Sequence, residues 1–396
     1  MAYFRNSTIN RLNLHYGIHA FALDGGGVFF RVFLLKAGLS APAVLVTVAL
    51  ILVGRFVLRP LVLVAGKRFG IKPLVIFGTV VSALQYPFLP FVHGIDVMIA
   101  LFILIASIGD AFYWTSYHAY FATVGDAEHR GHQIGAREAI VALVGIAAPI
   151  IGGWALTTLG PLVAFNATAG VQLIAALPLL SAPAVAVKAE APGAFKAAWR
   201  GVLLFAADGW IAAGYYFVWG MALFYALDAS FTAFGGAMAI AALASAAAGM
   251  IMGRTIDAGH GSKAVWLAFA VLALTTIVRA FAEGATMAVI ANALGALVIC
   301  LYIPTVMTAV YNEAKHSPCS LRFHIATEGA WDAGCAASCL VCAALIALGA
   351  PLGASILLSL AGAVASLVLL RRYYADLRVG GELSTADVLV ATDGHK

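Results

Sequence analysis

Charge is what this sequence has least of. Lys, Arg, Asp and Glu make up 10% of its 396 residues, while 63% are hydrophobic and the mean hydropathy is +0.98. An average soluble domain is about 25% charged. One globular core cannot bury this much apolar surface, so a soluble fold is excluded. Dyad alternation in roughly 10-residue segments is missing too, which excludes a membrane β-barrel. There is no H-E-x-x-H, no G-x-S-x-G, no phosphate loop ending in G-K-[ST] and no nucleotide domain. These absences argue against a membrane enzyme and an ATP-driven pump. Cysteine is scarce. Cys300, Cys319, Cys335, Cys339 and Cys342 lack metal-site spacing and pairing logic, and the last three share one helical face as small packing residues. No metal and no cofactor are expected.

What is present is a series of long apolar runs. A span needs roughly 20 apolar residues. On that rule the spans cover 14–35, 41–65, 73–91, 97–123, 134–159 and 162–185, then 202–227, 231–252, 264–281, 285–311, 324–348 and 352–370. The expected fold is an all-α polytopic membrane protein of about twelve transmembrane helices in two pseudo-symmetric six-helix bundles. The expected units are an N-terminal bundle (1–187), a cytoplasmic linker (188–200), a C-terminal bundle (201–372) and a loose polar tail (373–396). The first twelve residues are polar and basic, with no small-residue cleavage site after the first run, so that run reads as a retained helix.

The net charge of +5 is spread over short loops, which is an orientation signal and not a nucleic-acid one. Lys67, Arg68, Lys72, Arg130, Arg137, Lys188, Lys196, Arg200, Arg254, Lys263, Lys315, Arg322, Arg371 and Arg372 all fall on one side; Lys36 is on the other. Both termini are expected in the cytoplasm, with a bacterial cytoplasmic (inner) membrane as the location and a monomer as the assembly. The halves echo one another. Val53-Gly54-Arg55 matches Met252-Gly253-Arg254, residues 122–129 match 309–316, and Arg137-Glu138-Ala139 matches Thr327-Glu328-Gly329. Such repeats are typical of secondary transporters.

The stretch from Pro60 to a basic loop, Gly66 through Lys72, resembles the first cytoplasmic signature of the major facilitator superfamily, P-L-x-G-x-L-x-D-R-x-G-R-R. Pro60, Arg68, Gly70 and Lys72 fit; Leu63, Ala65 and Lys67 stand where Gly, Leu and Asp are usual. Gly253 and Asp257 repeat the pattern in the second half, and residues 125–135 resemble the connection between the family's fourth and fifth helices. The resemblance implies alternating access by two bundles around a midplane site. The family's frequent Arg in the fourth helix is missing, and Asp110 lies in that helix instead.

A charge at bilayer centre costs about 2.5–3.5 kcal/mol on insertion scales, so each one in these runs should face a partner or a cavity. Arg55 lies ~15 Å from the cytoplasmic face by helical rise. It reads either as a structural ion pair or as the binding group for an anionic solute. Asp24, before Gly25-Gly26-Gly27, is expected level with Arg55 on the adjacent helix. It is either a static partner or a carboxylate that trades the arginine for a proton or solute. Asp110 is followed by Tyr113, Trp114, Tyr117 and His118, which either line a cavity or pack around a satisfied acid. Asp24, Asp110 and His118 are the proton-coupling candidates. Tyr113, Tyr117, Tyr215 and Trp219 are the aromatic candidates for the solute site; Tyr215 and Trp219 read equally as interface or packing aromatics. Arg59, ~9 Å in, is expected to pair with Glu328 or Asp332, ~6 and ~12 Å in, as a cytoplasmic gate. That gate would take over from the loop, where Lys67 replaces the usual acid. Glu138, Arg254 and Asp257 form either the symmetry-related gate or solvated loop charges. Arg31 and Arg279 lie near outer ends, where snorkelling suffices, and Asp208 lies too near the start of its helix for a role.

The function read from these residues is secondary transport of a small polar, anionic solute, coupled to protons. Drug or metabolite efflux by proton antiport is the alternative within the class. A non-transporting sensor or assembly protein on the same scaffold is the alternative outside it.

Overall fold

The computed structural model describes residues 6–125, 130–256 and 261–393; side chains of residues 130–136, Glu138, 249–264, Pro304, Thr308 and 377–393 lie outside that description. Among the described residues it is helical throughout, without strands, and 11 helices are long and apolar enough to cross a membrane. They are α1 (Ser7–Lys36), α2 (Ala41–Phe69), α3 (Ile71–Phe91), α4 (Val97–Val124), α5 (Arg130–Thr158), α6 (Pro161–Leu180), α7 (Trp199–Ala226), α8 (Phe231–Ile256), α10 (Gly284–His316), α11 (Ser320–Ala347) and α12 (Leu352–Asp376). The shorter apolar α9 (Gly261–Ala280) makes the twelfth.

Helix ends follow local chemistry. Ser40 caps α2 by accepting from the Ala43 amide, with a proline in the first turn. Asp96 caps α4 from outside the span, accepting from the amides of His93 and Ile99. Those two bonds hold its carboxyl below the usual carboxylate range.

Two sequence expectations change. The basic loop Gly66 through Lys72 is helical up to Phe69, and the whole reversal rests on Gly70, at φ 80° and ψ 176°. That backbone region is essentially open to glycine alone. A Cβ at Gly70 would also sit 2.8 Å from the Val185 carbonyl oxygen, which accepts from Ile71. Gly70→Ala is therefore expected to cost about 1–3 kcal/mol, read as a lower thermal midpoint of the purified protein; an unchanged midpoint contradicts this account of the turn. The tail expected to be loose instead continues the last helix to Asp393.

The first helix is broken where the sequence places three consecutive glycines. Helix runs to Gly25, a 3-10 turn covers Gly27–Phe29, and a short helix resumes over Phe30–Lys36. The glycines admit close neighbours. A Cβ at Gly26 would overlap Thr168 of α6, and one at Gly152 of α5 would overlap the Gly25 carbonyl.

Across the seam, α2 packs on α11 and α5 on α8. At one end of the seam Lys36 Nζ donates to the Ala229 carbonyl at 2.9 Å, and Phe29 meets Phe231 and Phe234. At the opposite end Gly66 of α2 lies against Leu321 of α11, and Arg322 donates to the carbonyls of Ala189 (2.7 Å) and Lys188 (3.3 Å).

Candidate functional site

The α2–α11 contact carries the charge. Arg55 and Arg59 are one helical turn apart on α2, and Glu328 and Asp332 one turn apart on α11, so each pair shares a face. Gly329 on α11 leaves room for the Arg59 stem, with its absent Cβ only 3.4 Å from the Arg59 Cδ. Arg59 donates from Nε and Nη2 to Asp332 Oδ2 at 2.8 and 2.5 Å, and from Nη1 to the Thr115 hydroxyl of α4. Arg55 Nη2 lies 3.0 Å from the other Asp332 oxygen. Glu328 is 3.9 Å from Arg55 and 3.7 Å from Arg59. Asp110 on α4 is 3.8 Å from Arg55 and accepts from Ser82 of α3 at 3.3 Å. Two guanidinium groups thus face three carboxylates. Asp332 is sealed, with a side chain 0% exposed, while Asp110 remains 26% exposed. The outer carboxylate can exchange with solvent or solute; the sealed one holds the arginines in place.

Aromatic and histidine groups extend this cluster. His118 Nδ1 is 2.9 Å from the Tyr311 hydroxyl of α10, its Nε2 is 3.7 Å from Glu328, and its ring stacks on His324 at 5.8 Å. The Trp331 ring lies 5.7 Å from the Arg55 guanidinium and donates its indole N–H to Asp208 of α7 at 2.9 Å. Trp331, Tyr311, His324 and Asp208 were not singled out as site residues by sequence reading. His324 carried a usable signal, since it falls one turn before Glu328 on the same face of α11.

Other candidates lie elsewhere. The pairing expected between Asp24 and Arg55 is not formed. α1 packs on α5 and α6 while α2 packs on α4 and α11, so consecutive helices do not share a charged face. Asp24 is half-buried near Gly145 of α5, and among the described residues it has no ion pair or hydrogen bond. Tyr113 and Tyr117 turn into the N-terminal half. Tyr113 bonds His15 Nε2 at 3.1 Å and stacks on His19 at 4.0 Å; Tyr117 stacks on Tyr16 at 5.0 Å. His15 and His19, a turn apart on α1, complete this polar core with Gln172, which sits 2.6 Å from His19. Neither histidine was anticipated, although their spacing marks one face.

Tyr215 and Trp219 are engaged within the C-terminal half. Arg279 stacks over both rings, at 4.1 and 5.0 Å, and donates to the Tyr215 carbonyl at 2.8 Å. The π-helical turn Ala213–Val218 is the local irregularity beside that carbonyl. Tyr215 also meets Thr275, and Trp219 donates to Asn292. Arg279 is therefore buried among rings and does not snorkel. Lys72 caps the end of α6 through the Ala182 carbonyl at 2.8 Å, Arg68 covers Phe69, and Lys67 borders a surface depression with Glu190 and Arg322. The side chains of Glu138 and Arg254, and all of Asp257, lie outside the described residues.

A helix pair crossing the two halves, loaded with paired charge at membrane depth, is transporter architecture. The sequence matches the family model described as Major Facilitator Superfamily over residues 16–318. The chain belongs to the major facilitator superfamily. No curated protein matches it. Among solved structures it is similar to the transporter FucP in the outward conformation, with a TM-score of 0.67 and 13% identity over 94% of this chain and 99% of that one. It is similar to the POT family transporter PepTSo, with a TM-score of 0.69 and 10% identity over 94% and 99%. The E. coli fucose:proton symporter FucP in a variant form gives 0.64 and 14% over 93% and 99%. At these identities the likeness establishes the fold alone. Family and fold both point to a transporter and not to an enzyme.

Proposed function

We propose that this superfamily member is a proton-coupled secondary transporter of a small polar, anionic solute, in which residues 1–187 and 201–372 rock about the α2–α11 seam and 188–200 joins them. One observation carries the reading. The cluster at that seam holds two arginines against three carboxylates. Guanidinium groups stay charged, so the cluster is electroneutral only when one carboxylate carries a proton. Buried net charge is costly, and a shared proton removes it. Groups this close titrate as a unit, and Asp110, the exposed member, is where that proton enters and leaves.

Arg59, Asp332 and Glu328 act as the gate. Closing the halves desolvates them together, and opening one side pulls α2 from α11 and rehydrates them. His118 links Glu328 to Tyr311 and is the candidate path from the cytoplasmic side. Asp24 is a second carboxylate able to take a proton. The inner membrane of a bacterium and cytoplasmic termini fit the loop charges.

The test is uptake by proteoliposomes from a panel of small organic acids, with and without an inward acid gradient. One or more acids should accumulate under the gradient and equilibrate when a protonophore collapses it. Uptake indifferent to the gradient overturns proton coupling, and no flux of any solute favours a sensor on this scaffold.

A further inference from the structure

Arg31 differs from the other arginines of the seam. It opens the short helix that follows the break in α1, and it is half-buried. Its guanidinium carbon lies 5.0 Å from the Phe30 ring centre and 4.7 Å from that of Phe217 on α7, so a ring from each half flanks it. The thiols of Cys339 and Cys335 on α11 lie within electrostatic reach. One helix from each half therefore contributes a ring to it.

Among the described residues Arg31 has no ion pair and no hydrogen bond, and none of its nitrogens is sealed from solvent. Arg55 and Arg59 face carboxylates, Arg279 a carbonyl and two rings, and Arg322 the linker, although the Nε atoms of Arg55 and Arg279 are buried without a hydrogen-bond partner. A guanidinium offers five donors in a planar fork. Aromatic faces compensate its charge in part but fill none of those donors.

We propose that Arg31, and not Arg55, is the group that recognises the solute's charge, and that the solute is a small monocarboxylate with an apolar body. Its carboxylate takes the open donors in a bidentate pair, and its body lies along Phe30 and Phe217. This rests on the reading of the protein as a solute transporter.

The test uses purified full-length protein in detergent, without any gradient, so its outcome is separate from that of proton coupling. Thermal midpoints are measured with straight-chain acids from acetate to octanoate, with benzoate and with phenylacetate, each beside its amide. A ligand that binds the folded state raises the midpoint. Acids of one size range should raise it and their amides should not. Arg31→Gln should weaken that binding about tenfold or more, and Arg31→Lys should keep part of it. Phe217→Ala should weaken the aryl acids more than acetate, which keeps the proposal testable if Arg31→Gln does not fold. Absence of any shift with every acid, equal shifts with amides, or wild-type binding by Arg31→Gln overturns the proposal.

Discussion

Arg59→Gln is expected to destabilise the protein by about 3–5 kcal/mol, the usual consequence of removing one partner from a buried ion pair. Arg59 is the most enclosed cation of the cluster, with a side chain 2% exposed and two hydrogen bonds to Asp332. Removing it leaves one arginine against three carboxylates. Glu328→Gln added to Arg59→Gln returns the excess to a single carboxylate, as in the wild type. The double variant should therefore recover much of the lost stability while still failing to transport, because the gate contact is gone. A simple exchange of Arg59 and Asp332 is the wrong experiment. Asp332 also pairs with Arg55 at 3.0 Å, so an arginine there would face a second arginine. The measurement is thermal unfolding of the two single variants and the double, read as a double-mutant cycle. Additive losses contradict a shared charge balance.

Asp110→Asn carries the second large effect. It fixes the exposed carboxylate in a neutral form, so the cluster no longer needs a proton. With one proton per solute, a gradient of one pH unit holds about tenfold accumulation, equivalent to about 1.4 kcal/mol. Asp110→Asn should reduce that to equilibration while solute–solute exchange, which moves no net proton, continues. Loss of exchange as well would make Asp110 a structural or binding residue and not the proton carrier.

Much of this was legible in the sequence, and physics explains which parts. The spans and their number follow from the bilayer, because backbone groups must be satisfied within each helix. The meeting of Arg59 with Glu328 and Asp332 follows from depth and helical spacing, together with the family resemblance that brings α2 to α11. Partners that depend on which helices are neighbours were not legible. Asp24 and Arg55 stand at similar depth on consecutive helices, yet those helices pack on different partners. Arg31 and Arg279 looked alike as outer arginines. One sits in the seam after a helix break, and the other is folded into its own half beside a π-helical turn. The break in α1 falls on Gly25-Gly26-Gly27, a signal present in the sequence, whereas the π-helical turn over Ala213–Val218 has no such local mark.

Coupling, on the proposed function, rests on the proton carried by the excess carboxylate of the seam cluster. The most direct measurement is the internal pH of proteoliposomes loaded with a pH-sensitive dye, recorded while labelled solute enters and no gradient is applied. Acidification should track uptake at one proton per solute in the wild type and be absent in Asp110→Asn. Uptake without acidification, or acidification equal in the two proteins, would contradict it.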